Sequence, residues 1–224
     1  APFVAWIEQT AAFIGALAPK QLVSTGNEGW RGSADDKELF LKAHASAHVD
    51  YLTFHLWPAN WRWYDPTRPA ATYDSAWIKA QDYINWHIDA AGPLGKPIVL
   101  EEFGLNRDNG AFEVAAPTSY RDRYYNAIFT LLERRAASGD AIAGSNFWAW
   151  NGRGRTRNAD FMWQRGDDFV GDPPQEPQGL YGVFDSDAAT IAVIERHATR
   201  MRAIGAASPR MSPEIKPVEH DPRQ

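Results

Sequence analysis

The chain has 224 residues, 44% of them hydrophobic and 23% charged, with 23 Lys and Arg against 28 Asp and Glu for a formal net charge of −5. That profile excludes wholesale disorder, and the acid excess argues against nucleic-acid binding, which shows a basic face. Cysteine is absent, which excludes disulfides, thiol nucleophiles and cysteine-ligated metals. No apolar run approaches the roughly 20 residues of a membrane span, and the first residues read as a helix, not a signal peptide. Tryptophan is abundant, 10 residues beside 8 Tyr and 11 Phe. Such rings fill cores, and they also make flat platforms for sugars or bases.

Phe3, Ile7, Ala11, Ile14 and Leu17 recur at helical spacing, and Pro19 stops the pattern. A β-type run from Gln21 to Thr25 leads into the loop Gly26-Asn27-Glu28-Gly29-Trp30, and a helix is expected over about 34–47. Residues 51–57, rich in aromatic and β-prone types, predict a buried strand that Pro58 ends. Asp74 is the expected N-cap of a helix carrying Trp77, Ala80, Ile84 and Ile88, closed by Gly92 and Pro93. Pro97 to Leu100 predicts a short strand running into Glu101-Glu102-Phe103-Gly104. Thr118 or Ser119 should cap the next helix, which Gly139 stops; a fourth strand is expected over 144–150 and a last helix over 187–203. Residues 206–224 hold four prolines and no periodicity, so they read as a disordered tail after a domain of residues 1–205.

Strands that alternate with helices predict parallel βα units. The helix-to-strand connections are short, while the strand-to-helix connections (about 58–73, 105–117 and 151–186) are long, polar and aromatic. Long loops on one side only suit the catalytic face of a (β/α)8 barrel; a doubly wound sheet shares that polarity, but no Gly-rich phosphate fingerprint follows any strand here. Four strands preceded by a helix make an α/β fold equal to the C-terminal half of such a barrel.

Strand ends place Glu28, His55, Glu101, Glu102, Asn146 and Trp148 where a barrel holds its site. Neighbours along a strand point to opposite sides, so one of Glu101 and Glu102 should face the mouth. A carboxylate there suits attack on an anomeric carbon, one half of the two-carboxylate chemistry of glycosidases. His44 and His48 stand one helical turn apart without an intervening glutamate, so they read as a helix-end feature and not as a metal site. Arg153, Arg155 and Arg157 read as a solvated loop or a sugar contact.

Glu102-Phe103-Gly104, His55-Leu56-Trp57 and Phe147-Trp148 at successive strand ends resemble glycoside hydrolase family 5. Residues 24–29, Pro58-Ala59-Asn60-Trp61, Tyr64-Asp65-Pro66 and residues 182–187 resemble its endo-β-1,4-mannanase branch. The resemblance implies Glu102 as the nucleophile of a retaining mechanism, with Glu101 turned away behind it. It implies His55 as a site histidine and Trp148 as the platform under the sugar being cleaved. Trp57 stands where many relatives have a tyrosine bonded to the nucleophile, and Glu28 matches an acid that pairs with a site arginine. Trp30, Trp61, Trp63 and Trp150 are candidates to line a glycan cleft. The family's proton donor, an Asn-Glu pair ending an earlier strand, has no counterpart here. The expectation is therefore a fragment, or a chain partnered by an N-terminal half-barrel, inactive alone. No cofactor or metal is implied. The implied partner is a β-mannan-type polysaccharide, and the implied location of the parent protein is secreted or periplasmic. A non-catalytic carbohydrate-binding protein and a family 5 cellulase or other β-glycanase are the competing readings.

Overall fold

The computed structural model describes residues 2–168 and 171–207. Its elements follow in the order α1 (Pro2–Leu17), α2 (Lys37–His44), β1 (Leu52–Leu56), α3 (Pro69–Leu94), β2 (Ile98–Phe103), α4 (Ser119–Ala137), β3 (Ile142–Phe147), β4 (Trp150–Gly152), β5 (Val183–Phe184) and α5 (Ala188–Ala207). β1, β2 and β3 form one parallel sheet in that order, and β4 pairs with β5 in a separate two-stranded ribbon. The expected α/β class with parallel connections is present.

Three strands share the sheet, not four. The run Gln21–Thr25 is extended beside β1 but forms no regular ladder. Asp50 N–H donates to the Val23 carbonyl (2.8 Å) and His55 N–H to that of Glu28 (3.2 Å). Side chains take over in between: Val23 N–H donates to Asp50 Oδ2 (2.6 Å), and Thr53 Oγ1 donates to the Asn27 carbonyl (3.1 Å). They replace the backbone pairing that would define a strand.

Helix boundaries move for identifiable reasons. α2 starts late because Ala34 and Asp35 have φ of 58° and 57°, outside helical space. Asp36 then caps it, Oδ1 accepting from the N–H groups of Glu38 (2.9 Å) and Leu39 (3.0 Å). α3 starts at Pro69, not at Asp74, because proline presets the first helical φ. Asp74 lies inside α3 and pairs with Arg123 (2.8 Å). The hydroxyl of Thr118 does not cap α4; Asp108 does, its carboxylate accepting from Ser119 and Tyr120 N–H, each at 3.0 Å. The fourth expected strand splits after Phe147. Residues 142–147 stay in the sheet, and Trp150–Gly152 leaves it to pair with Val183–Phe184. α5 runs to Ala207, so Ala206 and Ala207 are helical, and the remainder of the expected tail lies outside the described residues.

The core fills the space between the sheet and α3 and α4. Phe54, Leu56, Ile98, Leu100 and Phe103 meet Tyr83, Ile84, Tyr124, Ile128 and Phe129 there. In β2 the buried residues step by two from Ile98 to Leu100, then by three to Phe103. The register with β3 shifts across this step, the signature of a bulge. It is the feature that shapes the site.

Two histidines are buried in this core as neutral donor–acceptor groups. His44 donates Nδ1–H to the Phe40 carbonyl (2.8 Å), leaving Nε2 to accept from Thr25 Oγ1 (2.8 Å). His87 donates Nδ1–H to the Tyr83 carbonyl (2.8 Å), and its Nε2 accepts from Trp30 N–H (3.1 Å). His48 lies past the end of α2 and faces Glu8 (3.7 Å), so the two histidines of the pair share no helix face. Burial lowers His44 to about 4 and His87 to about 3. A base depressed in the folded state costs nothing above its unfolded value of 6.5 and destabilises progressively below it. Urea denaturation should therefore lose on the order of a few kcal/mol between pH 7 and pH 4. An unfolding midpoint that holds steady over that interval would contradict the neutral assignments.

Candidate active site

Glu102 stands at the C-terminal end of β2 in a pocket that it shares with Trp57, Asn60, Trp148, Pro173, Glu176 and Tyr181. Trp57 follows β1 and Trp148 follows β3, so the indoles flank the carboxylate from both neighbouring strands. Their rings meet edge to face at 6.3 Å, and Tyr181 packs on Trp57 at 4.9 Å. Trp148 N–H donates to the Phe103 carbonyl (2.8 Å), which extends the β2–β3 pairing by one residue and fixes the indole's origin. Gly104 explains the Glu-Phe-Gly order: a Cβ there would lie 3.0 Å from both the Trp148 carbonyl oxygen and Trp57 Cζ3. Any larger residue would have to displace Trp57 or the Trp148 backbone by a few tenths of an ångström.

His55 bridges the two glutamates. Its Nδ1 lies 3.3 Å from Glu102 Oε2 and its Nε2 lies 3.4 Å from Glu101 Oε2. Glu101 is turned away from the pocket, as expected, and meets the site through His55. The bulge between Leu100 and Phe103 breaks simple alternation and leaves both carboxylates partly accessible, 28% for Glu101 and 32% for Glu102. Glu101 shares the sheet face opposite the helices with Tyr51, Val99 and Asn146. Glu102 reaches the pocket.

The other expected residues divide. Glu28 accepts from the Trp61 indole N–H (3.1 Å), and its backbone carbonyl accepts from Tyr83 Oη (2.8 Å) and His55 N–H (3.2 Å). It steadies the segment beside β1. Trp30, Trp61 and Trp63 cluster around Tyr83, with Arg31 stacked over Trp61 at 4.7 Å. Trp30 and Trp63 line a hollow with Lys37, Asp82 and Trp86 instead of the Glu102 pocket. Trp150 is 56% exposed on β4 and does not line that pocket either. Arg155 is a staple of the long loop, bonded to Asp185 (2.7 Å) and stacked on Phe184.

Asn60, Glu176, Pro173 and Tyr181 were not expected at the site. Asn60 falls inside a stretch already singled out by resemblance, but no spacing marks it. Glu176 and Tyr181 lie in the loop after β4, whose fold is set by buried acids and not by periodicity. Asp187, 8% exposed, bonds Arg107 Nη2 (2.6 Å) and accepts from Phe184 N–H (2.9 Å), while Arg121 Nη1 stands 3.7 Å away. Burial, with Asp172 nearby, raises the Glu176 carboxyl above its ordinary value. Among the described residues, no three His, Cys, Asp or Glu side chains gather as a metal-binding group.

The family described as GH family 5 beta-mannosidase-like matches residues 1–206. The chain belongs to glycoside hydrolase family 5. The crystal structure of a family 5 mannosidase from Rhizomucor miehei is 34% identical with a TM-score of 0.80, over 91% of this chain and 49% of that one. An endo-beta-1,4-mannanase from Thermotoga petrophila shares the fold at 22% identity, with a TM-score of 0.56 over 93% of this chain and 41% of that one. Mannan endo-1,4-beta-mannosidase 4 of Oryza sativa subsp. japonica is 29% identical over 157 residues, 64% of this chain and 32% of that protein. The family 5 chain thus spans about half the length of its solved relatives and about a third of the curated one.

Proposed function

We propose that the protein hydrolyses β-mannosidic linkages with net retention at the anomeric carbon, and that Glu102 is its nucleophile. The observation that carries this is a strand-end carboxylate held between two indoles and a histidine in a chain of this family. Glu102 attacks the anomeric carbon, and the glycosidic C–O bond breaks as the leaving oxygen takes a proton from a general acid. Water then cleaves the glycosyl ester, giving its proton back to that group and releasing Glu102. Trp148 lies under the apolar face of the sugar, and His55 holds the nucleophile's orientation. The general acid comes from the part of the family fold that this chain does not span, where a (β/α)8 barrel is completed by its N-terminal half. A mannan-type polymer as substrate would be met outside the cytoplasm, which supports reading the protein as secreted or periplasmic.

One observation favours a terminal mannose over an internal linkage. Pro173, Glu176 and Tyr181 of the long loop line the pocket together with Glu102 and Trp148, and a loop that narrows it there suits a chain end better than an internal linkage. The greater identity to the mannosidase than to the endo-mannanase, 34% against 22%, agrees with this reading. Incubating the full-length protein with mannohexaose and with mannan tests it. Mannose as the first product, released as the β-anomer by proton NMR, is expected. A ladder of oligosaccharides with a rapid fall in viscosity returns the reading to endo-mannanase, a faster attack on cellulose removes mannan as the substrate, and binding without turnover leaves a carbohydrate-binding protein.

A further inference from the structure

We infer that Tyr181 is a positioning residue that aims the side-chain amide of Asn60 into the Glu102 pocket. The inference rests on the reading of that pocket as the sugar site. The Tyr181 hydroxyl donates to Asn60 Oδ1, joining loops 121 residues apart. A carboxamide has one acceptor oxygen and two N–H donors. With the oxygen held by Tyr181, the amide that lines the pocket has its Nδ2 donors left to meet acceptor oxygens of a sugar seated against Glu102.

Tyr181 has one place to stand. It is 5% exposed, with its ring on Trp57, and burial keeps its phenol protonated well above the ordinary value. Asp172, 2% exposed, accepts from the N–H groups of Gly179 (2.9 Å), Tyr181 (3.0 Å) and Gly182 (3.1 Å). Arg121 Nη1 donates to the Gly182 carbonyl (2.9 Å), which ties the same turn to α4. The glycines are required: Gly179 has φ +95° and its Cβ would lie 2.4 Å from the Phe112 carbonyl oxygen, while a Cβ on Gly182 would lie 2.4 Å from Asn151 Nδ2. The turn cannot slide, so the hydroxyl does not either.

The test is a double-mutant cycle in the full-length protein, Tyr181→Phe, Asn60→Ala and both, read as KM and kcat on mannobiose beside crystal structures of the wild type and Tyr181→Phe. Tyr181→Phe removes one hydroxyl and should raise KM about 3- to 10-fold, the worth of one hydrogen bond. In the Asn60→Ala background it should add nothing, because Tyr181 acts through Asn60. The Asn60 amide should rotate away from its wild-type orientation in the Tyr181→Phe crystal. Effects on KM that multiply, or an Asn60 amide that keeps its orientation without the hydroxyl, would overturn the inference. A wild-type protein that cleaves no mannobiose would defeat the terminal-mannose reading instead, and the two crystal structures would then decide the positioning claim alone.

Discussion

Glu102→Ala in the full-length protein should lower kcat on β-mannosides by roughly 10⁴- to 10⁶-fold, the scale of losing a covalent nucleophile. The folded state should barely notice. The Glu102 side chain is 32% exposed, and its neighbour within ion-pair distance is His55 at 3.3 Å, so an exposed-pair contribution below about 1 kcal/mol is at stake. Unfolding midpoints and activity should thus separate cleanly. Glu101→Ala should behave differently, lowering activity by a smaller factor, because its carboxylate meets the site through His55 Nε2 at 3.4 Å and not through the pocket. Equal losses for the two variants would mean that the bulge in β2 makes them interchangeable, and the assignment of roles would fail.

The largest stability effect should come from Asp187→Ala. Arg107 and Arg121 are each 0% exposed, and both face this one carboxylate, at 2.6 and 3.7 Å. Removing it takes the acid from the buried Arg107, leaves Arg121 held by backbone carbonyls with less charge compensation, and releases the Phe184 N–H that it accepts. Breaking a buried ionic group in this way costs about 3–5 kcal/mol. For a domain of this size that corresponds to a fall in Tm of roughly 10 °C. Asp187→Asn, which keeps an acceptor oxygen, should recover part of it. A loss under about 1 kcal/mol in urea denaturation would mean that the arginines find other partners.

Much of this was legible in the sequence, because the elements that build it are local. The helical spacing of Phe3, Ile7 and Ala11, the β-prone run from Tyr51 to Trp57 and the stops at Pro58 and Gly139 each report on a few neighbouring residues, and the structure follows them. Glu102, His55, Trp57 and Trp148 could be read because each ends or follows a strand with a recognisable neighbourhood. What could not be read depends on residues far apart. The strand expected at Gln21–Thr25 is lost to Asp50 and Thr53 side chains that substitute for backbone bonds. The α4 cap comes from Asp108, eleven residues before the first helical residue, in a loop without periodicity. The bulge in β2, which leaves both Glu101 and Glu102 partly accessible, is one inserted residue that alternation cannot register. Tyr181 and Glu176 reach the pocket because Asp172 gathers three backbone N–H groups from a proline-rich loop. That is a tertiary fact with no one-dimensional signature. The tryptophans show the same limit: an aromatic in a strand-end loop looks the same whether it lines the Glu102 pocket, like Trp57 and Trp148, or packs around Tyr83, like Trp30 and Trp63.

The central claim is that Glu102 bonds to the anomeric carbon. A 2-deoxy-2-fluoro-β-mannosyl fluoride, whose slowed deglycosylation lets the covalent intermediate accumulate, tests it directly on the full-length protein. Peptide mass spectrometry after trapping should find one fluoromannosyl group, on Glu102 within the peptide that carries Glu101-Glu102-Phe103-Gly104. A label on Glu101, Glu28 or Glu176, or turnover with no trapped ester and an inverted product, would contradict it.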